Sequence, residues 1–87
     1  MRIKLTEGSA ASWFEFPDDA MVDVAALLGA VQQAQPDVYL QWCDGEGQLR
    51  HSLSVFVNGD HVRYHSGLQT ELKDGDEVVV IALIAGG

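Results

Sequence analysis

From residue 77 to residue 84 the chain reads Glu-Val-Val-Val-Ile-Ala-Leu-Ile, and Gly86-Gly87 follow the apolar run 78–85 without a linker. A run this rich in β-branched residues, set off by the turn sequence Asp74-Gly75-Asp76, predicts a final strand. In a sheet covered on one face only, such a strand should alternate apolar and polar residues, and this one does not. Glu77 marks its odd-numbered face as the wetter one, yet Val79, Ile81 and Leu83 continue that face, while Val78, Val80 and Ala82 would point into the core. The odd face therefore predicts an exposed apolar strip of the kind that receives a partner. The alternative is that the N-terminal segment or the stretch 36–51 covers it.

The terminal glycine pair lies at the end of that strip. Glycine has no side chain to clash with a narrow channel and reaches backbone angles closed to other residues, so the pair suits a tail threaded into a partner's active site. Chance composition, a frayed end or an expression scar would also leave glycines here, but such ends are usually polar, whereas this pair adjoins an apolar strand.

Upstream, Ile3 and Leu5 alternate with polar neighbours, Gly8-Ser9 gives a turn, and residues 11–16 alternate again, which predicts an opening hairpin. Asp18 or Asp19 is expected to cap a helix over about 20–35, with Met21, Val24, Leu27, Leu28 and Val31 on its buried face. Gly29 within it predicts close packing on the sheet. The stretch 36–51 reads equally as a strand, through Val38, Leu40 and Trp42, or as a short helical turn. Residues 54–57 read as a strand, Asn58-Gly59 as a hairpin turn, 61–64 as the returning strand, and 67–72 as a loop with a helical turn. The expected fold class is α+β, with one main helix packed on one face of a mixed sheet of about five strands, a β-grasp or ubiquitin-like arrangement in a single domain over 1–87.

Size and charge narrow the functions. A chain of 87 residues has little room for an internal active-site cavity, which disfavours a self-sufficient enzyme. The formal charge of -8 would repel phosphate backbones and anionic lipid, so neither nucleic acid nor membrane is an expected partner. A single cysteine, Cys43, excludes an internal disulfide and cysteine-based metal sites, and suits a reducing, cytoplasmic setting. The beginning 1–7 is too poor in apolar residues for a signal peptide, and the run before the glycines is far below the roughly 18 residues of a membrane span.

Side-chain chemistry is sparse. His61 and His65, four apart on a strand, would lie about 13 Å from each other and could not share one metal ion, so both read as surface residues. Cys43 has no basic neighbour and reads as a packed thiol. Asp74 and Asp76 read as turn residues rather than an acid-base pair, and Trp13 and Trp42 as core or core-edge anchors. No catalytic triad, phosphate-binding glycine loop or metal motif is present, which leaves the carboxylate of Gly87 as the candidate reactive group.

The second half resembles the MoaD/ThiS family of sulfur carrier proteins, through Val57-Asn58, Val62-Arg63-Tyr64, Gly67-Leu68, Thr70, Leu72, Asp74-Gly75-Asp76, Val78 and Ala85-Gly86-Gly87. The likeness is good from about Leu53 onward; before that only the order of elements agrees. It implies that an E1-like enzyme adenylates Gly87 with ATP, that a sulfur donor protein or sulfide displaces AMP, and that the Gly87 thiocarboxylate delivers sulfur inside an accepting biosynthetic enzyme. The carrier itself would need no cofactor, ATP being used by its activating enzyme. Gly86 and Gly87 would be the reacting end of a flexible tail, about 84–87, and Val79, Ile81, Leu83, Ile84 and Ala85 the partner-binding lead-in. The absence of prolines in 81–84 and the longer 36–51 stretch look more like carriers for cysteine or secondary-metabolite synthesis than like the small subunit of molybdopterin synthase. Some such carriers are trimmed after Gly-Gly by a metalloprotease. A ubiquitin-like modifier joined to protein lysines, and a plain interaction domain with an inert tail, are the competing readings.

Overall fold

The computed structural model describes residues 1–46, 48–50 and 53–82. Two strands open the chain, β1 (Arg2–Glu7) and β2 (Ala10–Glu15), paired antiparallel around Gly8-Ser9, where Gly8 takes the left-handed φ of +59° that the tight turn requires. A two-residue strand β3 (Val22–Asp23) leads into α1 (Val24–Ala34), followed at once by α2 (Pro36–Trp42). Then come β4 (Leu53–Val57), β5 (Asp60–His61), β6 (Glu71–Leu72) and β7 (Glu77–Ala82), with 3-10 turns at Val62–Tyr64 and Gly67–Gln69.

The main sheet runs β2-β1-β7-β4-β5, and β3 pairs with β6 in a small separate ribbon. β7 is central, parallel to β1 and antiparallel to β4, so the sheet is mixed, as the α+β β-grasp expectation requires. Val24, Leu27, Leu28 and Val31 of α1 are buried in one core with Ile3, Leu5, Val55, Val57, Val78 and Val80 of the sheet. Apolar residues at helical spacing on one side and at alternate positions on the other make this a two-layer packing. Asn58-Gly59 turns β4 into β5 with φ of 51° and 91°, the left-handed pair that a two-residue hairpin loop needs.

Several expectations are corrected. The helix begins at Val24 instead of near residue 20, and its cap is Asp23, whose Oδ1 accepts from the backbone N–H of Ala26 at 2.8 Å, in place of Asp18 or Asp19. Residues 22–23 pair with β6 instead, which leaves Met21 88% exposed. The helix ends at Ala34 because Gln35 precedes a proline and is held out of helical geometry; Pro36 then starts α2, where its missing N–H costs nothing. The 36–51 stretch is therefore helical first, and Val38, Tyr39 and Trp42 pack on the core side. The return from Asn58-Gly59 is a strand only at 60–61, after which the chain coils into the 3-10 turn. A Cβ built on Gly29 meets nothing within 4 Å, so this glycine does not mark a close helix-sheet approach. Trp42 is buried, but Trp13 is 48% exposed, because β2 is an edge strand and Trp13 lies on its uncovered face.

Candidate functional site

The site grows from the register of β7. Val78 and Val80 are buried, Val79 is partly buried and Ile81 is 44% exposed, so the odd-numbered side of the strand is on the sheet face opposite α1. Val79 is paired with Thr6 of β1 and Phe56 of β4, Thr6 with Ala11, and Phe56 with His61. Paired residues share a face, so Ala11, Thr6, Val79, Phe56 and His61 form one row across the open side of the sheet. The row continues off the sheet through edge-to-face ring contacts. Phe56 and His61 have centroids 5.0 Å apart, and His61 and Tyr64 6.2 Å apart, with Tyr64 78% exposed.

The imidazole of His61 is fixed from below. Its Nδ1 accepts the backbone N–H of Arg63 at 3.0 Å, capping the 3-10 turn that presents Tyr64. Its Nε2 is buried without a hydrogen-bond partner, so His61 is less superficial than the sequence implied. His65 pairs with Asp60, at 3.7 Å, and no group of three or more metal-ligating side chains occurs among the described residues.

Two residues earlier on β7 the face changes character. Glu77 accepts from the Thr6 hydroxyl at 3.0 Å and lies 3.8 Å from the Lys4 ammonium, while the Arg2 guanidinium stacks 4.4 Å from the Trp13 ring centroid and 3.8 Å from Glu15. The open face is thus charged where β7 begins and apolar where β7 runs toward residue 83. At the charged end, Asp74 Oδ1 accepts from the N–H of Arg2, and Asp76 accepts from the Asn58 side chain and from the N–H of Lys73. These aspartates are engaged in turn structure, as read from the sequence.

Elsewhere the fold offers little chemistry. The pocket between β1, β2 and the helices, lined by Glu7, Ser12, Gln35 and Trp42 among others, holds about 50 Å3, and a more open hollow of about 560 Å3 lies between Met1, Asp18 and residues 71–74. Cys43 is fully buried, and burial pushes its thiol above its ordinary range, so it is a poor nucleophile.

Of the residues singled out from the sequence, Val79 and Ile81 fall side by side on the open face; Leu83, Ile84, Ala85, Gly86 and Gly87 lie outside the described residues. Phe56 was not singled out, and His61 and Tyr64 were named only as a surface residue and within the family likeness, not as neighbours of Val79 on this face. Phe56 was within reach of the alternation in 53–57, but Tyr64 joins the row only because the chain leaves the strand at residue 62.

Comparison with known proteins gives this face a context. The profile of the ThiS family matches residues 11–87. A candidate sulfur carrier protein of Archaeoglobus fulgidus is 50% identical over 42 residues, 48% of each chain. The sulfur carrier protein CysO of Mycobacterium tuberculosis is 39% identical over 41 residues, 47% of this chain and 44% of that one. Each of these alignments spans about half the length of the relative. Among solved structures, the small archaeal modifier protein SAMP1 from Haloferax volcanii superposes over 100% of both chains with a TM-score of 0.80 and 19% identity. A chain of the BexX/CysO complex of Amycolatopsis orientalis superposes with a TM-score of 0.75 and 20% identity, covering 98% of this chain and 99% of the other. At these identities the two superpositions establish the β-grasp, ubiquitin-like fold.

Proposed function

The chain belongs to the ThiS family, and from that premise we propose that it is a sulfur carrier whose Gly87 carboxylate is adenylated by an E1-like enzyme and then converted to a thiocarboxylate. A carboxylate resists attack because of its charge. Its oxygen attacks the α-phosphorus of ATP, pyrophosphate leaves, and the resulting acyl adenylate has AMP as a good leaving group. Sulfide attacks the carbonyl carbon and expels AMP to give the thiocarboxylate directly; a donor protein's persulfide does the same to give an acyl disulfide, from which a second thiol releases the thiocarboxylate by forming a disulfide with the donor. The thiocarboxylate then gives up its sulfur to a biosynthetic enzyme serving cysteine or secondary-metabolite synthesis. ATP and any metal belong to those partners, and the setting is the cytoplasm.

The observation that carries this reading is the apolar strip of Val79 and Ile81 pointing along β7 toward a tail that the family match includes through Gly87. In the sequence Leu83, Ile84 and Ala85 continue the apolar run of β7, and a four-residue segment such as 84–87 reaches about 13 Å when extended, enough to enter a buried site. The likeness to a chain from a BexX/CysO complex supports docking to a protein partner. The test is to incubate the protein with its activating enzyme, ATP and a sulfide source, then weigh it. A gain equal to one oxygen-to-sulfur exchange at Gly87 is expected; an unchanged mass, with ATP consumed by a control carrier, overturns the proposal.

A second reading, favoured by the superposition on SAMP1, is a modifier whose Gly87 is joined to lysines of other proteins. Gly-Gly remnants on lysines in tryptic digests of the source cells would support it, and none under stress would count against it.

A further inference from the structure

β2 is an edge strand, and apart from Glu15 at its end it lacks the devices that usually keep such an edge from pairing. Six residues, Ala-Ala-Ser-Trp-Phe-Glu, run without proline, lysine or bulge, and the first proline is Pro17, beyond the strand. The ladder with β1 fixes which backbone groups face outward. Met1 and Phe16 exchange hydrogen bonds in both directions, the N–H of Phe16 to Met1 at 2.8 Å and the Met1 nitrogen to the carbonyl of Phe16 at 2.9 Å. Hydrogen-bonded and open pairs alternate along an antiparallel ladder, so Phe14, Ser12 and Ala10 turn their backbone groups toward β1. Ala11, Trp13 and Glu15 therefore turn theirs away from the sheet.

We infer that this edge pairs with β2 of a second copy of the chain, antiparallel, about a two-fold axis through Trp13. Pairings that match outward groups with outward groups place the axis at residue 11, 12, 13, 14 or 15, and only the axis at Trp13 pairs all three outward residues of the strand with one another. An axis at Glu15 would set two like carboxylates face to face, and one at Ala11 would run off the hairpin after two residues. With Trp13 on the axis, Trp13 faces Trp13 and Ala11 faces Glu15 on either side, so all outward N–H and C=O groups of the three residues are matched by three reciprocal pairs. The two Glu15 side chains stay well apart along the strands.

The charges at this edge are balanced locally. The chain carries -8 overall, but Glu15 is balanced by Arg2 and Glu77 by Lys4 at this corner. Two copies can therefore meet here without setting unpaired like charges against each other. The Trp13 ring, 48% exposed and already held by Arg2, supplies the apolar contact across the axis. A single pair of short strands buries less than the roughly 1,200 Å2 of a stable interface, so the association is transient and grows stronger as salt screens the net charge.

The test is the mass in solution of the full chain at about 1 mM, in the range where weak complexes form, at low and at high salt. The average mass should rise from 9.4 kDa toward twice that value, and further at high salt. Ala11→Pro removes one outward N–H without touching the bonds to β1, and should return the protein to monomer with an unchanged circular dichroism spectrum. Trp13→Cys on the axis places the two α-carbons about 5.5 Å apart, within disulfide range, so it should cross-link under mild oxidation at least about tenfold faster than Ser12→Cys. A wild type that stays monomeric at both salts, an Ala11→Pro variant that associates like wild type, or equal cross-linking of the two cysteine variants would overturn the inference.

Discussion

Trp42 donates its indole N–H to the Glu7 carboxylate at 2.8 Å, joining the last turn of α2 to the end of β1 on the core side of the sheet. The bond spans 35 residues and satisfies the polar atom of a side chain that is otherwise buried. Removing the acceptor leaves that N–H unpaired. Glu7→Ala should therefore cost about 1–3 kcal/mol in urea unfolding, and Glu7→Gln, which keeps an acceptor oxygen, less. A double-mutant cycle with Trp42→Phe should show a coupling of about 0.5 kcal/mol or more.

Asn58 is the only non-glycine residue with positive φ among the described residues, and both ends of its amide are used. Its Nδ2 donates to Asp76 at 2.9 Å and its Oδ1 accepts from the N–H of Glu77 at 3.0 Å, tying the hairpin to the start of β7. Asn58→Ala should lower stability by about 1–3 kcal/mol, combining lost hydrogen bonds with left-handed strain. Asn58→Gly relieves the strain alone and should recover part of that loss, as read from thermal melts.

Gly29 lies within α1 with open space where a β-carbon would go. Gly29→Ala should stabilise the protein by about 0.5–1 kcal/mol, through higher helix propensity and a less flexible unfolded chain. An unchanged or lower urea midpoint would restore the view of this residue as a packing contact.

Burial raises the thiol of Cys43, and the sign follows from linkage. The folded protein holds this proton more tightly than the unfolded chain, so stability is fully present below the unfolded thiol's range, about 8.5, and is lost as pH rises past it. Between pH 7 and pH 10 the wild type should lose more stability than Cys43→Ala. Alkylation by iodoacetamide should be at least about tenfold slower in the folded protein than in urea.

Ile81 tests the docking strip. Its side chain is 44% exposed, so Ile81→Glu should leave the melting temperature nearly unchanged. On the proposed function, it should weaken binding to the activating enzyme by about tenfold or more, about 1.4 kcal/mol, and slow thiocarboxylate formation in proportion.

Much of this was legible in the sequence wherever a local rule acts alone. The two hairpins follow from Gly8 and Asn58-Gly59, whose φ values demand those residues, and the buried face of α1 from its spacing. What escaped was decided by distant partners. Residues 22–23 have no strand signal of their own and are extended because β6, some 50 positions later, pairs with them. Trp13 could be placed only as core or core-edge, because the sequence does not reveal that β2 is an edge. On the open face, Val79 and Ile81 could be read from a break in alternation within one strand. The aromatic row from Phe56 through His61 to Tyr64 could not, since it depends on the register between strands and on a 3-10 turn.

The central place of β7 also has a mechanical consequence. On the proposed function, a partner that draws residues 83–87 into a channel would pull on β7 along its own axis, and the strand is held on both flanks, by β1 and by β4. A pull in that direction loads both ladders together in shear instead of peeling them open one bond at a time. An edge strand would unzip under the same load, whereas here the body can act as a rigid handle while its tail is under tension.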